Sequence, residues 1–373
     1  MQNNLHLHII SFNIPFPPNY GGIIDVFYKL RSLKQLGVKI HLHCFEYGRK
    51  RAKELNQYCE TVNYYKRLLG ITQAIGKKPY IVKTRKSDEL LNNLLKDNHP
   101  IMFEGLHTTF HLNSPHLKDR FTIVRTHNIE SDYYIKLHAV EKNLFKQIYY
   151  EEEAARLKRY EPVLKNASLI AAISDNDYKY FNSRYSNTTF IPAFHPNDEI
   201  SIKKGTGNFI LYHGNLSVAE NISAAKELIN SVFSKIDYSV KIAGRNPEKS
   251  LIKLSNKFKN IELIANPSDK EMNSLITNAQ INILTTSQNT GIKLKLIASM
   301  FSGRHCIVND MMINNTGLEN LCHITNSPKQ IIEKINELWE KEIDNSISNE
   351  RNKILFQQYS NIKNATKLVS FLS

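Results

Sequence analysis

The stretch INILTTSQNTGIKLKLIASMFSGRHCIVND, residues Ile281–Asp310, shows the strand–helix–strand alternation that recurs along the chain. INILTT (281–286) and HCIVND (305–310) are short apolar runs rich in β-branched residues and read as buried strands. Between them Leu294, Ile297, Ala298 and Phe301 recur at helical spacing and define one apolar helix face. A strand, a helix and a strand in succession form a crossover, which sets two strands parallel with a helix laid over them. Gly291 stands where the first strand turns into the helix, with Lys293 and Lys295 just beyond it. The free N–H groups of a first helical turn point outward and carry positive partial charge, so a start with glycine and lysine suits a phosphate. Successive residues turn by about 100°, so Lys293 and Lys295 lie about 200° apart and one of them faces such a ligand.

The same alternation runs outward in both directions. In the second half NFILYHG (208–214), YSVKIAG (238–244), NIELIA (260–265) and LCHIT (321–325) are further strands. Helical patterns fill the gaps at 220–234, 247–258, 269–278, 292–302 and 328–342. In the first half LHLHIISF (5–12), KIHLHCF (39–45), PIMFEG (100–105), FTIVRTH (121–127), SLIAAIS (168–174) and TTFIPA (188–193) are strand-like. IIDVFYKLRSLKQLG is a helix that ends at Gly37, and 130–166 reads as one or two helices. Strand–helix alternation implies parallel sheets covered on both faces. The expectation is therefore an α/β chain of two Rossmann-like doubly wound domains, residues 1–197 and 198–345, separated near HPNDEISIKKGTGN (195–208). A helical segment at 346–373 is expected to pack back on the first domain. In this architecture ligands sit at the carboxyl ends of strands, so a central cleft between the domains is the expected site.

Composition narrows the function. With 373 residues and 41% hydrophobic content, the chain is long enough for two full cores. No run of about 18 uncharged apolar residues exists, so no membrane span is expected. MQNNLHLHIISF lacks a basic segment followed by a long apolar one and reads as a first strand, not a signal peptide. Cys44, Cys59, Cys306 and Cys322 are scattered without a CxxC pair, which speaks against a zinc or redox motif and fits a reducing cytoplasm. Lys plus Arg total 49 against 35 acids, a formal charge of +14, which points to an anionic partner. The lysines form no dense block, so nucleic acid is not the expected partner.

Several further strand ends hold polar chemistry. Arg245 follows the strand end at Gly244, where a guanidinium can clamp a diphosphate by forked hydrogen bonds. LYHGNLSVAEN (211–221) places His213 and Asn215 at another strand end, with Ser217 as the expected helix cap. NIPFPPNYGGIID (13–25) joins the first strand to the first helix through Gly21 and Gly22, which permit close approach of a ligand to the backbone. It is not GxGxxG, so a dinucleotide fingerprint is absent. RTHNIES (125–131) offers His127 as an acid, base or polarising group. Glu104, at the end of 100–105, is the carboxylate best placed in that half to act as a base. Asp175-Asn176-Asp177 matches a DxD metal pattern, but Ser174 as helix cap with acids in the first turn explains it, so no metal site is assigned.

Taken in order, PFPPNYGG, RTHNIE, KRYEPVLKNASLIAAIS, YHGNLSVAEN and TGIKLKLIASMFSGRHCIV resemble retaining glycosyltransferases of the GT-B fold, the family 4 group of many bacterial mannosyl- and glucosyltransferases. The resemblance covers nearly the whole chain. It implies that the second domain binds a nucleotide-diphosphate sugar. Gly291 would meet the diphosphate, Arg245 with Lys293 or Lys295 would neutralise it, and His213, Asn215 and Thr290 would flank the donor. Gly21 and Gly22 would lie near the diphosphate and acceptor, and His127 near the donor sugar. No metal or other cofactor is implied if Lys and Arg carry the charge. The implied acceptor is a growing or lipid-linked surface glycan, handled in the cytoplasm at the inner, anionic membrane face. The chain departs from the family in one respect. Two glutamates eight positions apart are usual around the donor loop, and their places are held here by Thr290 and Ala298. An Arg/Lys pair after the donor domain's first strand is likewise replaced by Asn215 and Glu220. A catalytically weak or inactive partner subunit of a glycan-assembly complex is therefore the alternative reading, and a nucleotide-sugar epimerase or hydrolase a third.

Overall fold

The structure is a computed structural model that describes residues 5–287, 293–343 and 345–372. These divide into two units. One runs from the first described residue to Pro196 and resumes at Tyr359; the other lies between Asn197 and Gln358.

The first unit is built on seven strands: β1 (His6–Ser11), β2 (Lys39–Glu46), β3 (Thr61–Lys66), β4 (Ile101–Glu104), β5 (Thr122–Thr126), β6 (Leu169–Ala172) and β7 (Thr188–Phe190). All pair in parallel, in the order β3-β2-β1-β4-β5-β6-β7. Central strands such as IMFE in β4 are buried at every position, as a sheet covered on both faces requires. β3 has no counterpart in the expected strands. Its TVNYYK lies at the sheet edge with one fully buried residue, Tyr65, so it never needed an apolar run.

Helix Gly21–Gln35 turns Ile23, Val26, Leu30 and Leu33 inward, where several meet Leu7, Ile9 and Ile40 of the sheet. Each such burial is worth about 1.5–3 kcal/mol. The helix gives way at Gly37, whose φ of 80° is left-handed and suited to glycine. The stretch 130–166 is two helices, Glu130–Val140 and Leu144–Tyr160, followed by a short 3-10 turn. The terminal stretch also breaks into two helices. Asn361–Val369, capped by Ser360, packs Ala365 and Leu368 into the core shared with Gly21–Gln35. Asn345–Gln358 belongs instead to the second unit, where Arg351 Nη1 donates to Gly303 O at 2.5 Å.

The second unit has six parallel strands: β8 (Ile210–Asn215), β9 (Val240–Arg245), β10 (Ile261–Ala265), β11 (Ile281–Leu284), β12 (His305–Val308) and β13 (His323–Ile324). Their order is β10-β9-β8-β11-β12-β13. Ile210, Ile242 and Ile283 pack under Leu228 and Ile229 of helix Ala219–Ser231 and Ile331 and Ile335 of helix Pro328–Leu338. Leu211 and Ala243, one residue on, point to the opposite face and meet Ile276 of helix Asp269–Asn278. Both sheets and the alternation that builds them agree with the two doubly wound units expected from the sequence.

Candidate functional site

In a doubly wound sheet the ligand site lies where strand order reverses. In the second unit the chain moves from β8 to β9 and β10 on one side, then returns to lay β11 on the other side of β8. The switch point is between the carboxyl ends of β8 and β11. Two helices start there, Ala219–Ser231 after β8 and Leu294–Ser302 after β11. Their N-cap positions are Val218 and Lys293, and among the described residues neither terminus has a side-chain cap. Elsewhere in the unit Asp269–Asn278 is closed by a Ser268/Glu271 capping box and Pro328–Leu338 by Ser327, whereas the shorter Lys249–Ser255, away from the switch point, is also without a side-chain cap among the described residues. Uncapped first turns keep their N–H groups available to an anion.

Lys295 supplies the cation at this point. Its Nζ donates to Asn221 Oδ1 at 3.1 Å, lies 3.5 Å from Thr285 O and sits 5.7 Å from the centre of the Tyr212 ring. Burial pushes its pKa down to about 8, and the Glu220 charge only partly offsets this. Glu220 itself accepts from the Thr286 hydroxyl. Of the two lysines in the quoted stretch, Lys295 is thus the one turned into the strand ends, while Lys293 occupies the helix N-cap position.

The other residues expected in this half fall into three groups. Arg245 is the last residue of β9, 37% exposed, with Nη2 3.1 Å from Asp269 Oδ1. Asn215, at the end of β8, turns its Oδ1 back onto Ser217, accepting from its N at 3.1 Å and Oγ at 2.8 Å. Ser217 is therefore held in a turn and is not the cap, a place taken by Val218. His213 is buried, its Nε2 3.2 Å from Ser299 Oγ. Burial and the nearby Lys295 lower its pKa to about 3, so it is a neutral link between β8 and helix Leu294–Ser302. Thr290 and Gly291 lie outside the described residues. Ala298 packs its methyl against the cluster of Phe209, Leu211 and Ala243.

A crevice of about 360 Å³ lies between helices Ala219–Ser231 and Pro328–Leu338 and reaches Thr285 and Thr286 past the end of β11. Glu220 and Glu227 both line it, which disfavours a diphosphate there. The helix starts around Lys295 are the better anion site.

The first unit gathers its polar residues at the carboxyl ends of β4 and β5. Asp25 and Lys29 are one helical turn apart on helix Gly21–Gln35 and are fully buried, 2.9 Å apart. Lys29 Nζ also lies 2.7 Å from Glu104 Oε1, and Arg125 Nη2 2.8 Å from Asp25 Oδ1. Arg125 and the backbone N–H of Phe194 complete the shell of Asp25, at 3.2 Å to Oδ2 and 2.9 Å to Oδ1 respectively. Burial alone would raise both carboxyls; Arg125 and Lys29 hold Asp25 well below its usual range, and Lys29 and His127 hold Glu104 low. Among the described residues Asp25, Glu104 and His127 form one of two groupings with metal-like spacing, but Lys29 and Arg125 already supply its positive charge.

His127 stands over this network. Its Nε2 is 2.9 Å from Glu104 Oε2, while its Nδ1 is buried with no hydrogen-bond partner among the described residues. Gly22 comes close on that side: a Cβ there would lie 3.6 Å from His127 Nδ1 and 2.9 Å from the Phe12 ring. The adjoining helix start at Gly21 and Gly22 has no side-chain cap among the described residues either. The structure thus brings Gly21, Gly22 and His127 together. Glu104 lies beneath His127, fully buried with both oxygens engaged, where it orients the ring rather than reaching a substrate.

Glu130 has no counterpart among the expected residues. It opens helix Glu130–Val140, is 3% exposed, and burial together with Asp177 raises its pKa to about 8. His107 Nδ1 lies 3.7 Å from its Oε1. Asp177 is fully buried; Ser174 caps its helix by accepting from Asp177 N at 3.1 Å, and burial raises the Asp177 pKa to about 6. A carboxyl whose folded pKa exceeds its ordinary value of 4.5 costs stability as pH rises from 4.5 through 8. Glu130→Gln removes that cost. The variant is expected to gain on wild type steadily over this window in urea unfolding, and a pH-independent difference would contradict the assignment.

Lys29 and Asp25 left a trace in the sequence, since a polar pair interrupts the apolar stripe of IIDVFYKL; Arg125 does the same in FTIVRTH. Glu130 left none, because it looks like an ordinary first-turn acid.

Comparison with known proteins bears on the fold and on the second unit. Residues 207–341 match the family model described as "Glycosyl transferases group 1". A protein of Klebsiella pneumoniae described as "Uncharacterized 44.6 kDa protein in cps region" is 26% identical over 311 residues, 78% of this chain and 79% of its own. The structure of Anabaena HepE in complex with UDP and glucose aligns over 99% of both chains with a TM-score of 0.67 at 11% identity. That of TarM aligns over 99% of both with a TM-score of 0.67 at 9% identity. The chain has the GT-B fold, two parallel-sheet units in succession. Within its second unit, residues 207–341 are similar to the group 1 glycosyl transferases.

Proposed function

We propose that this chain moves a sugar from a nucleotide-diphosphate sugar to a glycan or lipid-linked acceptor in bacterial surface-polysaccharide synthesis, with retention of anomeric configuration and without a metal ion. The observation that carries the reading is the switch point of the second unit, where two uncapped helix starts and the half-buried Lys295 converge. HepE, whose fold this chain shares, is described in complexes with UDP and with UDP-glucose, which supports a nucleotide sugar as donor. The Klebsiella relative's cps region supports a surface-glycan acceptor. A cytoplasmic enzyme working at the inner membrane face suits the charge of +14, and among the described residues no helix is long and apolar enough to cross a membrane.

When the donor's glycosidic bond breaks, negative charge grows on the diphosphate. Lys295, Arg245 and Lys293, with the N–H groups of the two helix starts, stabilise that charge in place and lower the barrier. Lys295 also answers for the pair missing from β8. Glu220 stands where the family resemblance puts a lysine, and Lys295 brings the positive charge to the same spot from the neighbouring helix. In the first unit His127 offers Nδ1 to a substrate hydroxyl, with Glu104 fixing its ring. The second reading, a weak or inactive partner subunit, is favoured by Ala298, whose methyl takes the place of a ribose-binding carboxylate.

The test is to incubate the chain with UDP, GDP, ADP, TDP and CMP sugars and a lipid-linked glycan extract, and to follow nucleotide release and label transfer. One donor is expected to turn over. His127→Ala should lower kcat by about 100-fold while leaving nucleotide affinity intact. No turnover with any donor would move the partner-subunit reading to first place, and full activity of His127→Ala would remove the residue from the mechanism.

A further inference from the structure

The opposite end of the first sheet carries chemistry that sugar transfer does not use. LHLH in β1 and HLH in β2 run in parallel with His8 level with His41, so His6, His8, His41 and His43 share one sheet face. His99, in the approach to β4, joins them and stacks on His6 with ring centres 4.3 Å apart. The inner pair is closed. His8 Nδ1 lies 2.9 Å from His43 Nε2, His8 Nε2 is 2.9 Å from Asp97 Oδ1, and His43 Nδ1 is 2.8 Å from the Tyr65 hydroxyl. Every ring nitrogen of that pair is taken, and both rings are buried. The outer pair repeats the geometry, His6 Nδ1 to His41 Nε2 at 2.9 Å, but it is only half buried, with His99 beside it. One ring nitrogen from each of His6, His41 and His99 lies within 4.8 Å of the other two.

We propose that His6, His41 and His99 form a binding site for a divalent transition-metal ion of the zinc class. Three imidazole nitrogens suit such an ion, whose bonds of about 2.0–2.1 Å place tetrahedral ligand atoms about 3.3 Å apart. His6 Nδ1 and His41 Nε2 are already close to that spacing. Thr61 Oγ1, 3.0 Å from His41 Nδ1, engages the other nitrogen of that ring and leaves Nε2 for the ion, as outer partners of metal-binding histidines do. His6 keeps its single proton by carrying it on Nε2, so binding releases none. His99 turns about its Cβ–Cγ bond to bring a nitrogen into the plane of the other two. Its ring makes no hydrogen bond among the described residues, so the turn gives up only its stacking on His6 and His41. The fourth position is left to water or an outside ligand. The site lies at the amino ends of the strands, the length of β1 away from the Gly22 end. Six residues of strand span about 20 Å. The ion therefore ties β1, β2 and the approach to β4 together and takes no part in the transfer.

The test uses the full, tag-free chain and zinc ion alone, in equilibrium dialysis and thermal melting. Wild type is expected to take up one equivalent with micromolar or tighter affinity and to melt higher when loaded. His99→Ala removes a half-exposed ring that makes no hydrogen bond, so it folds; it should weaken zinc binding about 10- to 100-fold and lose the melting shift. His41→Gln should do the same, and His323→Ala, in the second unit, should change neither. Absence of saturable uptake, or uptake unchanged in both His99→Ala and His41→Gln, would overturn the site and leave the row as a ladder of hydrogen bonds.

Discussion

Lys295→Met is expected to melt at a higher temperature than the wild-type chain and to bind nucleotide diphosphate about 10- to 100-fold more weakly. Both effects come from one ammonium held where water is scarce. Its pKa falls from 10.5 to about 8 because burial disfavours the charged form. At 1.36 kcal/mol per unit, a shift of that size sets an upper bound of about 3 kcal/mol, and a realistic gain on removal is about 1–2 kcal/mol. The sign fixes the pH window. Below pH 8 both folded and unfolded chains carry the proton, so the cost is present in full. It fades as pH rises from 8 to 10.5, and the variant's advantage fades with it. Binding moves the other way, since a charge-assisted hydrogen bond to phosphate is worth about 1.5–3 kcal/mol. Wild-type affinity for a nucleotide sugar should therefore fall as pH rises through about 8, while the variant shows no such step. A variant less stable than wild type, or one that binds equally well, would show that Lys295 has a purely structural place.

Lys29→Met should cost about 3–5 kcal/mol, because it leaves buried carboxylates without one of their cations. Asp25 keeps Arg125 and Glu104 keeps His127, but the charge between the two acids is gone. Glu104 then responds to burial and binds a proton more readily. The loss should be largest near pH 8 and smaller near pH 5, where the carboxyl is neutralised. Glu104→Gln added to Lys29→Met should restore part of the stability, since it removes the orphaned charge. Urea unfolding of the three variants at both pH values checks this. A cost under 1 kcal/mol, or a double variant that loses as much again, would mean that the buried pairs contribute independently and modestly.

The sequence disclosed the sheets more readily than the site. Strands such as β4, β6 and β12 are covered on both faces, and only a run of apolar residues survives there. β3 escaped because one edge and most of its side chains stay in contact with solvent. Glycine followed by lysine at the start of a helix pointed to the switch point, yet spacing alone could not choose between Lys293 and Lys295. That choice depends on Asn221 of helix Ala219–Ser231 and on Thr285 just past β11, which the fold brings to the lysine. His127 was visible as a strand-end histidine, but its orientation is set by Glu104 and Lys29, which come from other elements of the sheet and its covering helix. His213 looked like a cleft residue because it ends a strand; Ser299 on the adjoining helix closes over it instead. Periodicity records what is buried, and such pairings are made by topology.

The most direct test is calorimetric titration of the wild-type chain and Lys295→Met with UDP, GDP, ADP, TDP and CMP at pH 7 and pH 9. The account predicts that one nucleoside diphosphate binds wild type at a single site, more weakly at pH 9, and that Lys295→Met binds it about 10- to 100-fold less well at pH 7. If none of them binds, or if Lys295→Met binds as wild type does, the switch point of the second unit is not the donor site.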